Sequence, residues 1–384
     1  MEVNRFFARR CSEVEFSGIR RFFDLAAQNR DAIDLSIGQP DYDAEAQIKH
    51  AAAAAIQEGH NQYTPSAGMA ALRERLTQSL RREFPDWAPG VLVSSGVSGG
   101  LFLSMLATID PGDEVVFLDP YFVSYRQLVT MIGGTPAPVS SYPDFRFRTD
   151  AVERAVTNRT KLLLINSPGN PTGRMMTAAE AQAVAELARK RDLLIVSDEI
   201  YNELTFDEPA ASPAHYAPER TIVLRGFGKT YGVTGWRLGY VAADPALIEQ
   251  MTKMQQFTFV CAPAPLQHAM LTALDTDVSH HRRDYARKRD LVAELLTGAF
   301  EFIGPDGGFY VFPKIPAGFD SATQFCEAAA EHKVFVIPGN IFSTRDTHFR
   351  ISFAASDDSL RAGCRALCDL ARERARPTGA VSAH

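Results

Sequence analysis

GFGKTYGVTGWRLGY (226–240) ends one apolar run, TIVLRGFGK (221–229), and opens the next, RLGYVAAD (237–244). Too few residues separate Lys229 from Arg237 for the helix that a parallel crossover needs, so these two runs predict antiparallel neighbours. The runs before them read differently. VLVSSG (91–96), EVVFLDP (114–120), KLLLINSP (161–168) and LLIVSDEIY (193–201) are short, rich in Val, Ile and Leu, and separated by helix-like stretches. One such stretch, TAAEAQAVAELARKRD (177–192), has amphipathic spacing and begins at Thr177 with Glu180 on the next turn, the pattern of a capping box. Strands alternating with helices predict a parallel sheet. Adding the antiparallel pair gives an α/β fold with a mixed, mostly parallel sheet.

A different composition starts near residue 245. A long helical region (245–300) contains RRDYARKR (282–289), whose charges are interspersed with Asp284 and Asp290 and predict a solvated helix face rather than a nucleic-acid patch. GGFYVFPKI (307–315), KVFVIPGNIF (333–342) and HFRISFAAS (348–356) then predict the strands of a smaller α+β unit, closed by a helix through about residue 374. The chain has 384 residues, of which 46% are hydrophobic. Single cores stop growing near about 250–300 residues, so two domains are expected. The formal charge of -6 gives no reason to expect nucleic acid or an anionic membrane, and points to small-molecule ligands. No apolar run approaches a membrane span, and MEVNRFFARRCSEVEF carries charges where a signal peptide needs an apolar stretch, so a cytoplasmic protein is expected. The scattered cysteines, Cys11, Cys261, Cys326, Cys364 and Cys368, argue against a disulfide framework. Cys364 and Cys368 share a helix spacing but lack a second ligand pair, so core packing is expected there and no metal.

Parallel α/β sheets bind ligands beyond the carboxyl ends of their strands. Four stretches fall at such ends. SSGVSGG (94–100) opens a helix, where backbone N–H groups and the helix dipole make an anion site. NSPGNPTG (166–173) is a stiff loop that can aim Asn170, SDEIY (197–201) carries Asp198 and Tyr201, and GFGK (226–229) carries the lysine. This set suits a phosphorylated aromatic aldehyde. An amine condenses with the aldehyde, a helix N-terminus and an arginine take the phosphate, and a carboxylate keeps the ring nitrogen protonated. That ligand is pyridoxal 5'-phosphate (PLP). Glycines around Lys229 would allow close approach of backbone to it.

In this order and spacing, NSPGNPTG, SDEIY and GFGKTYGVTGWRLGY resemble the class I and II, fold-type I, PLP-dependent aminotransferases, within them the aspartate and aromatic aminotransferase group. The likeness runs from LSIGQPDY (35–42) and QYTPSAG (62–68) to RISFAAS (350–356). It implies the three-layer α/β/α fold of the PLP-dependent transferases with a smaller α+β domain. Residues 1–44 would join the small domain, 45–285 would form the large cofactor-binding domain and 286–384 the small one. It further implies that Lys229 is the Schiff-base lysine and the acid/base acting at the substrate α-carbon. Asp198 would pair with the ring nitrogen, and Asn170 and Tyr201 would bond the phenolic oxygen. Phe122 would stack on the ring, while Val97, Ser98 and Arg237 would hold the phosphate. Tyr63 would reach the neighbouring subunit's phosphate, which implies a homodimer with shared sites. Arg350 would grip the substrate carboxylate, with Gly38 and Asn170 in the same pocket. Two features depart from the family pattern. Gly228 stands where many relatives have a hydroxyl residue, and Gly99 and Gly100 stand where larger residues are common; these glycines are expected to widen the site.

Other readings are weaker. GVSGG (96–100) matches the G-x-S-x-G nucleophile elbow, but the histidines are poorly placed for a triad. Trp236 and most phenylalanines read as core, and SGIRRFFDLA (17–26) as an amphipathic cover over the site mouth or the dimer. The leading function is transfer of an amino group from an L-amino acid, aromatic or of broad range, to a 2-oxo acid such as 2-oxoglutarate. The alternative keeps the cofactor but performs elimination, replacement or carbon–carbon bond formation. A binding protein without catalysis is disfavoured by the presence of Lys229, Asp198 and Arg350 together.

Overall fold

The computed structural model describes residues 2–19, 29 and 31–375. The first strand, β1 (Ile33–Asp34), lies apart from the main sheet. Seven strands build that sheet: β2 (Gly90–Ser95), β3 (Glu114–Asp119), β4 (Thr135–Ser140), β5 (Thr160–Asn166), β6 (Leu194–Asp198), β7 (Thr221–Gly226) and β8 (Leu238–Ala243), in spatial order β2-β8-β7-β6-β5-β3-β4. Strands β7, β6, β5, β3 and β4 are parallel to one another. Only β8 is reversed, pairing antiparallel with both β7 and β2, as the short link after Lys229 requires.

The β2, β3 and β5 to β8 cores are fully apolar because helices cover both faces. Leu92, Leu164, Val196, Leu224 and Val241 point to one side and pack with Leu101, Met105, Ile248 and Met251 from helices Gly96–Thr108 and Pro245–Thr258. Their neighbours in the pleat point to the other side. Val91, Val93 and Val223 meet helices Ala46–Gln57, Ala70–Glu83 and Ala264–Leu274, and Leu163, Ile165 and Ile195 meet helix Ala178–Arg191. That last helix starts at Thr177, whose side chain accepts from the Glu180 N–H while the Glu180 carboxylate accepts from the Thr177 N–H, so the capping box read in the sequence is formed.

Strand β4, TPAPVS, escaped the sequence reading because proline weakens any strand assignment. Its position explains the composition. It is an edge strand beside β3, and the N–H groups of Thr135 and Ser141 donate inward to Asp113 and Asp119. The alternating positions, Pro136 and Pro138, therefore turn their missing N–H groups to the open edge, where proline also blunts pairing with another chain.

The remaining strands, β9 (Tyr310–Val311), β10 (Val334–Phe335), β11 (Ile337–Pro338) and β12 (Phe349–Ser352), belong to the smaller unit. β11, β12 and β9 form an antiparallel sheet, and β1 pairs with β10, which ties the N-terminal segment to this unit. Helix Asp357–Ala375 closes it, placing Cys364 and Cys368 in the same buried cluster as Phe325 and Phe353. All five cysteines are free, as expected from their scatter.

One expectation needs correction. The RRDYARKR stretch lies on helix Ser279–Leu296 but is not simply a solvated face. Tyr285 and Lys288 are buried. Lys288 pairs with Asp284 and Asp41, and Arg287 bridges Asp284 and Asp357, so these charges seam the helix to its neighbours. No helix among the described residues is long and apolar enough to cross a membrane.

Candidate active site

The carboxyl ends of β2, β3, β5, β6 and β7 open into one cavity of about 600 Å³. Gly38, Val97, Ser98, Phe122, Asn170, Asp198, Tyr201, Lys229, Arg237 and Arg350 all line it, so every site residue read from the sequence except Tyr63 is brought together. Tyr63 is 83% exposed and does not line its own chain's cavity. Ser17 and Ile19 also line the cavity, whereas residues 20–26 of the Phe-rich cover read from the sequence lie outside the described residues.

Lys229 sits in the single turn Phe227–Thr230 that follows β7. Its amine donates to the Gly38 carbonyl and lies 5.5 Å from the centre of the Phe309 ring. Burial, then the positive charges of Arg350 and Arg237, lower its pKa to about 7, so a large share is the neutral nucleophile near neutral pH. Asp198, at the end of β6, shows the opposite shift. Burial raises it to about 6, against which Tyr125 and the Ile200 N–H donate to its carboxylate. A carboxyl held this far from water is short of a positive partner, which a protonated ring nitrogen would supply.

Tyr125 is the functional residue missed in the sequence. It stands on helix Ser124–Met131, is fully buried, and its Oη donates to Asp198 Oδ2 at 2.7 Å. The signal lay in DPYFVSY, where Phe122 and Tyr125 are one helical turn apart and both face the β6 end. Tyr125→Phe removes a donor from a buried carboxylate, worth about 1.5–3 kcal/mol for a charged acceptor. The Asp198 pKa should rise further, moving the acid limb of the kcat/KM profile to higher pH while leaving the overall fold, followed by circular dichroism, unchanged.

The end of the cavity at the start of helix Gly96–Thr108 is equally specific in its backbone. Helix Gly96–Thr108 begins at Gly96, whose φ is 68° and where a Cβ would lie 2.6 Å from an Arg237 guanidinium nitrogen. Glycine there lets Arg237, itself at φ 55°, lay its guanidinium over the helix N-terminus, which with the N–H groups of Val97 and Ser98 makes an anion cradle. At the opposite wall Arg350, on β12, is fully buried and sandwiched between Tyr310 and Phe342. Two of its nitrogens donate to Asn170 Oδ1 at 3.0 Å and to the Ser36 carbonyl at 2.6 Å. Its Nε is buried without a partner, a donor suited to a carboxylate. Tyr201 Oη donates to Tyr310 Oη at 3.1 Å, setting two phenols side by side on the same wall.

The glycines do not all widen the site. A Cβ on Gly100 would meet Val241 at 2.8 Å, and one on Gly99 would meet Ser95 at 3.1 Å, so both let the helix settle onto the sheet and neither lines the cavity. Of these three only Gly228 does, with Thr234 Cα 3.3 Å from where its Cβ would be. Around Lys229 the crowding is also protein against protein: Gly226 faces Ile200 and Val97, and Gly232, at φ 68°, backs onto Tyr42. No histidine is among the described lining residues, so the hydrolase reading of GVSGG gains no support here.

Residues 30–367 match the family model of aminotransferases of class I and II. This chain belongs to that family. It is 36% identical over 349 residues to the aspartate/prephenate aminotransferase of Thermus thermophilus, covering 88% of this chain and 90% of that protein. It is 34% identical over 367 residues to aromatic-amino-acid aminotransferase 2 of Thermococcus litoralis, covering 91% and 94%. Among solved structures, the aspartate aminotransferase from Thermus thermophilus with maleate superposes with a TM-score of 0.91 at 33% identity, covering 95% of this chain and 99% of that one. The chain is therefore an aminotransferase with the fold-type I architecture, the resemblance seen in its sequence.

Proposed function

We propose that this aminotransferase holds pyridoxal 5'-phosphate in the cavity and works as a homodimer on aromatic or a broad range of L-amino acids. The carrying observation is the opposed pair: an amine brought down to about 7 and a carboxyl brought up to about 6 face one cavity, with an unpaired Arg350 Nε beside them. When bound, the cofactor supplies an electron-accepting ring that stabilises negative charge at the substrate α-carbon. The chain's residues divide the remaining work. Lys229 Nζ is the attachment point and carries the proton to and from the α-carbon. Asp198 balances a positive ring nitrogen, Phe122 stacks on the ring, and Asn170 and Tyr201 face its oxygen. Val97, Ser98 and Arg237 hold the phosphate, with the partner subunit's Tyr63 completing that contact. Arg350 grips the substrate carboxylate two-pronged, beside Gly38.

The homodimer reading is supported by the exposed Tyr63, Phe257 and Phe259, apolar or aromatic surface that a second copy would cover. The division into 45–285 and a smaller body made of 1–44 and 286–384 is supported by the pairing of β1 with β10. A cytoplasmic setting is supported by the free thiols. The substrate preference is supported by Ile19, Ile37 and Tyr310 in the cavity wall and by the aromatic and prephenate enzymes among the relatives.

The test is the half-reaction spectrum of the holoenzyme with each proteinogenic amino acid. Phenylalanine or tyrosine should convert the cofactor spectrum at least as fast as aspartate, without cosubstrate and without ammonia release. Conversion by aspartate alone would overturn the aromatic preference, and ammonia with a regenerated starting spectrum would overturn amino transfer. Gly228→Ser places a hydroxyl at the cavity wall and should tighten cofactor binding about tenfold, the scale of one hydrogen bond to a charged group. Unchanged cofactor affinity and unchanged turnover would remove any role for Gly228 in site width.

A further inference from the structure

Away from the cavity, two helix starts bring together three side chains that the amino-transfer reading does not use. Glu45 precedes helix Ala46–Gln57, and His280 and His281 stand in the first turn of helix Ser279–Leu296. We propose that Glu45, His280 and His281 form a binding site for a divalent transition metal of the zinc class.

The geometry carries this. Glu45 Oε1 lies 3.2 Å from His280 Nε2 and 3.6 Å from His281 Nε2, and the three donor atoms all fall within 4.8 Å of one another. Metal–ligand bonds of about 2.0–2.1 Å at tetrahedral angles set donors about 3.3 Å apart, so a small adjustment closes the triad around an ion. The His281 separation exceeds a hydrogen bond, so the carboxylate does not already consume that nitrogen. Two imidazoles and one carboxylate favour zinc, nickel or copper over magnesium or calcium, which prefer all-oxygen sites.

His281 is also held in place. Its side chain is 11% exposed, and its ring stacks on Tyr42 with centroids 3.5 Å apart and planes 4° from parallel. Tyr42 Oη in turn donates to the Lys229 carbonyl. Such support orients a ligand before the ion arrives. The side chains of His280 and Glu45 are 50% and 36% exposed, leaving a route for the ion and room for water at a fourth position. The two positive helix ends oppose a cation, so binding should be moderate and exchangeable rather than tight. An ion here would clamp the segment leading from Gly38, which accepts from Lys229, to the start of helix Ser279–Leu296.

The experiment is isothermal titration of zinc chloride into chelator-treated holoenzyme, run beside His280→Ala, Glu45→Gln and, as a control, His60→Ala, a histidine that neighbours Glu58 and not this triad. The wild type and the control should take one equivalent at this site and gain thermal stability with zinc. His280→Ala and Glu45→Gln should each weaken that equivalent by about a hundredfold and lose the thermal shift. His280 is half exposed, so its replacement leaves folding intact, which circular dichroism checks. No zinc uptake by the wild type, or uptake undiminished in both variants, overturns the site. Both outcomes are independent of any result on amino transfer.

Discussion

Lys229→Ala should lower kcat for amino transfer by on the order of 10⁴-fold or more, with the fold intact. Among the described cations that line the cavity, only this amine can give and take a proton near neutral pH. The guanidinium groups of Arg237 and Arg350 serve as fixed positive groups. Their charge, added to burial, is part of what brings the Lys229 pKa to about 7. Lys229→Arg should fare little better, since it keeps the charge and loses the titration. Borohydride treatment of the holoenzyme should leave a mass adduct on Lys229, absent in Lys229→Ala, and added small amines should restore part of the lost rate. Turnover in Lys229→Ala within a hundredfold of wild type would show that another group moves the proton.

Much of this arrangement was legible because the residues involved obey local rules. The link from Lys229 to Arg237 is short, and shortness alone forces the reversal of β8. Thr177 and Glu180 cap their helix through contacts three residues apart, which any sequence displays. Asp198 ends β6, Asn170 and Lys229 lie three or four residues beyond β5 and β7, and a parallel sheet delivers such strand ends to one edge. What escaped depends on which way a side chain turns once the sheet exists. Asp198 was legible as a cavity residue, but the place of its neighbour Glu199 was not. Glu199 turns to the opposite face, where Ser197, Ser212 and Arg225 bond it.

Long-range packing hid the rest. Tyr125 reads as one more aromatic in DPYFVSY until β6 brings Asp198 within 2.7 Å of its hydroxyl. Gly100 looks like a widened ligand loop, but its neighbour is Val241, more than a hundred positions away in the chain. The RRDYARKR charges look solvated because their partners Asp41 and Asp357 belong to distant segments. TPAPVS defies strand propensity, and only its edge position makes two prolines acceptable.

Asp198→Asn should reduce kcat/KM by about two to four orders of magnitude, because one partner of a buried charge pair is worth about 3–5 kcal/mol when lost. Asparagine keeps the shape and the Tyr125 contact, so the loss isolates charge. A pH measurement on the cofactor-free protein separates that role from simple packing. Burial raises the Asp198 pKa from 3.8 to about 6, so the folded chain binds this proton more tightly than the unfolded chain does. Stability therefore falls as pH rises between those two values, and the cost is fully present above the upper one. Roughly 3 kcal/mol is the ceiling on that cost, at 1.36 kcal/mol per pKa unit. Asp198→Asn should remove this slope, making the cofactor-free variant more stable than wild type at neutral pH while its cofactor affinity and turnover collapse. A cationic ring nitrogen reverses the balance in the wild type by favouring the carboxylate, so cofactor should stabilise wild type far more than the variant. Equal cofactor-induced shifts in Tm for the two proteins would mean that Asp198 does not face a positive charge in the working enzyme.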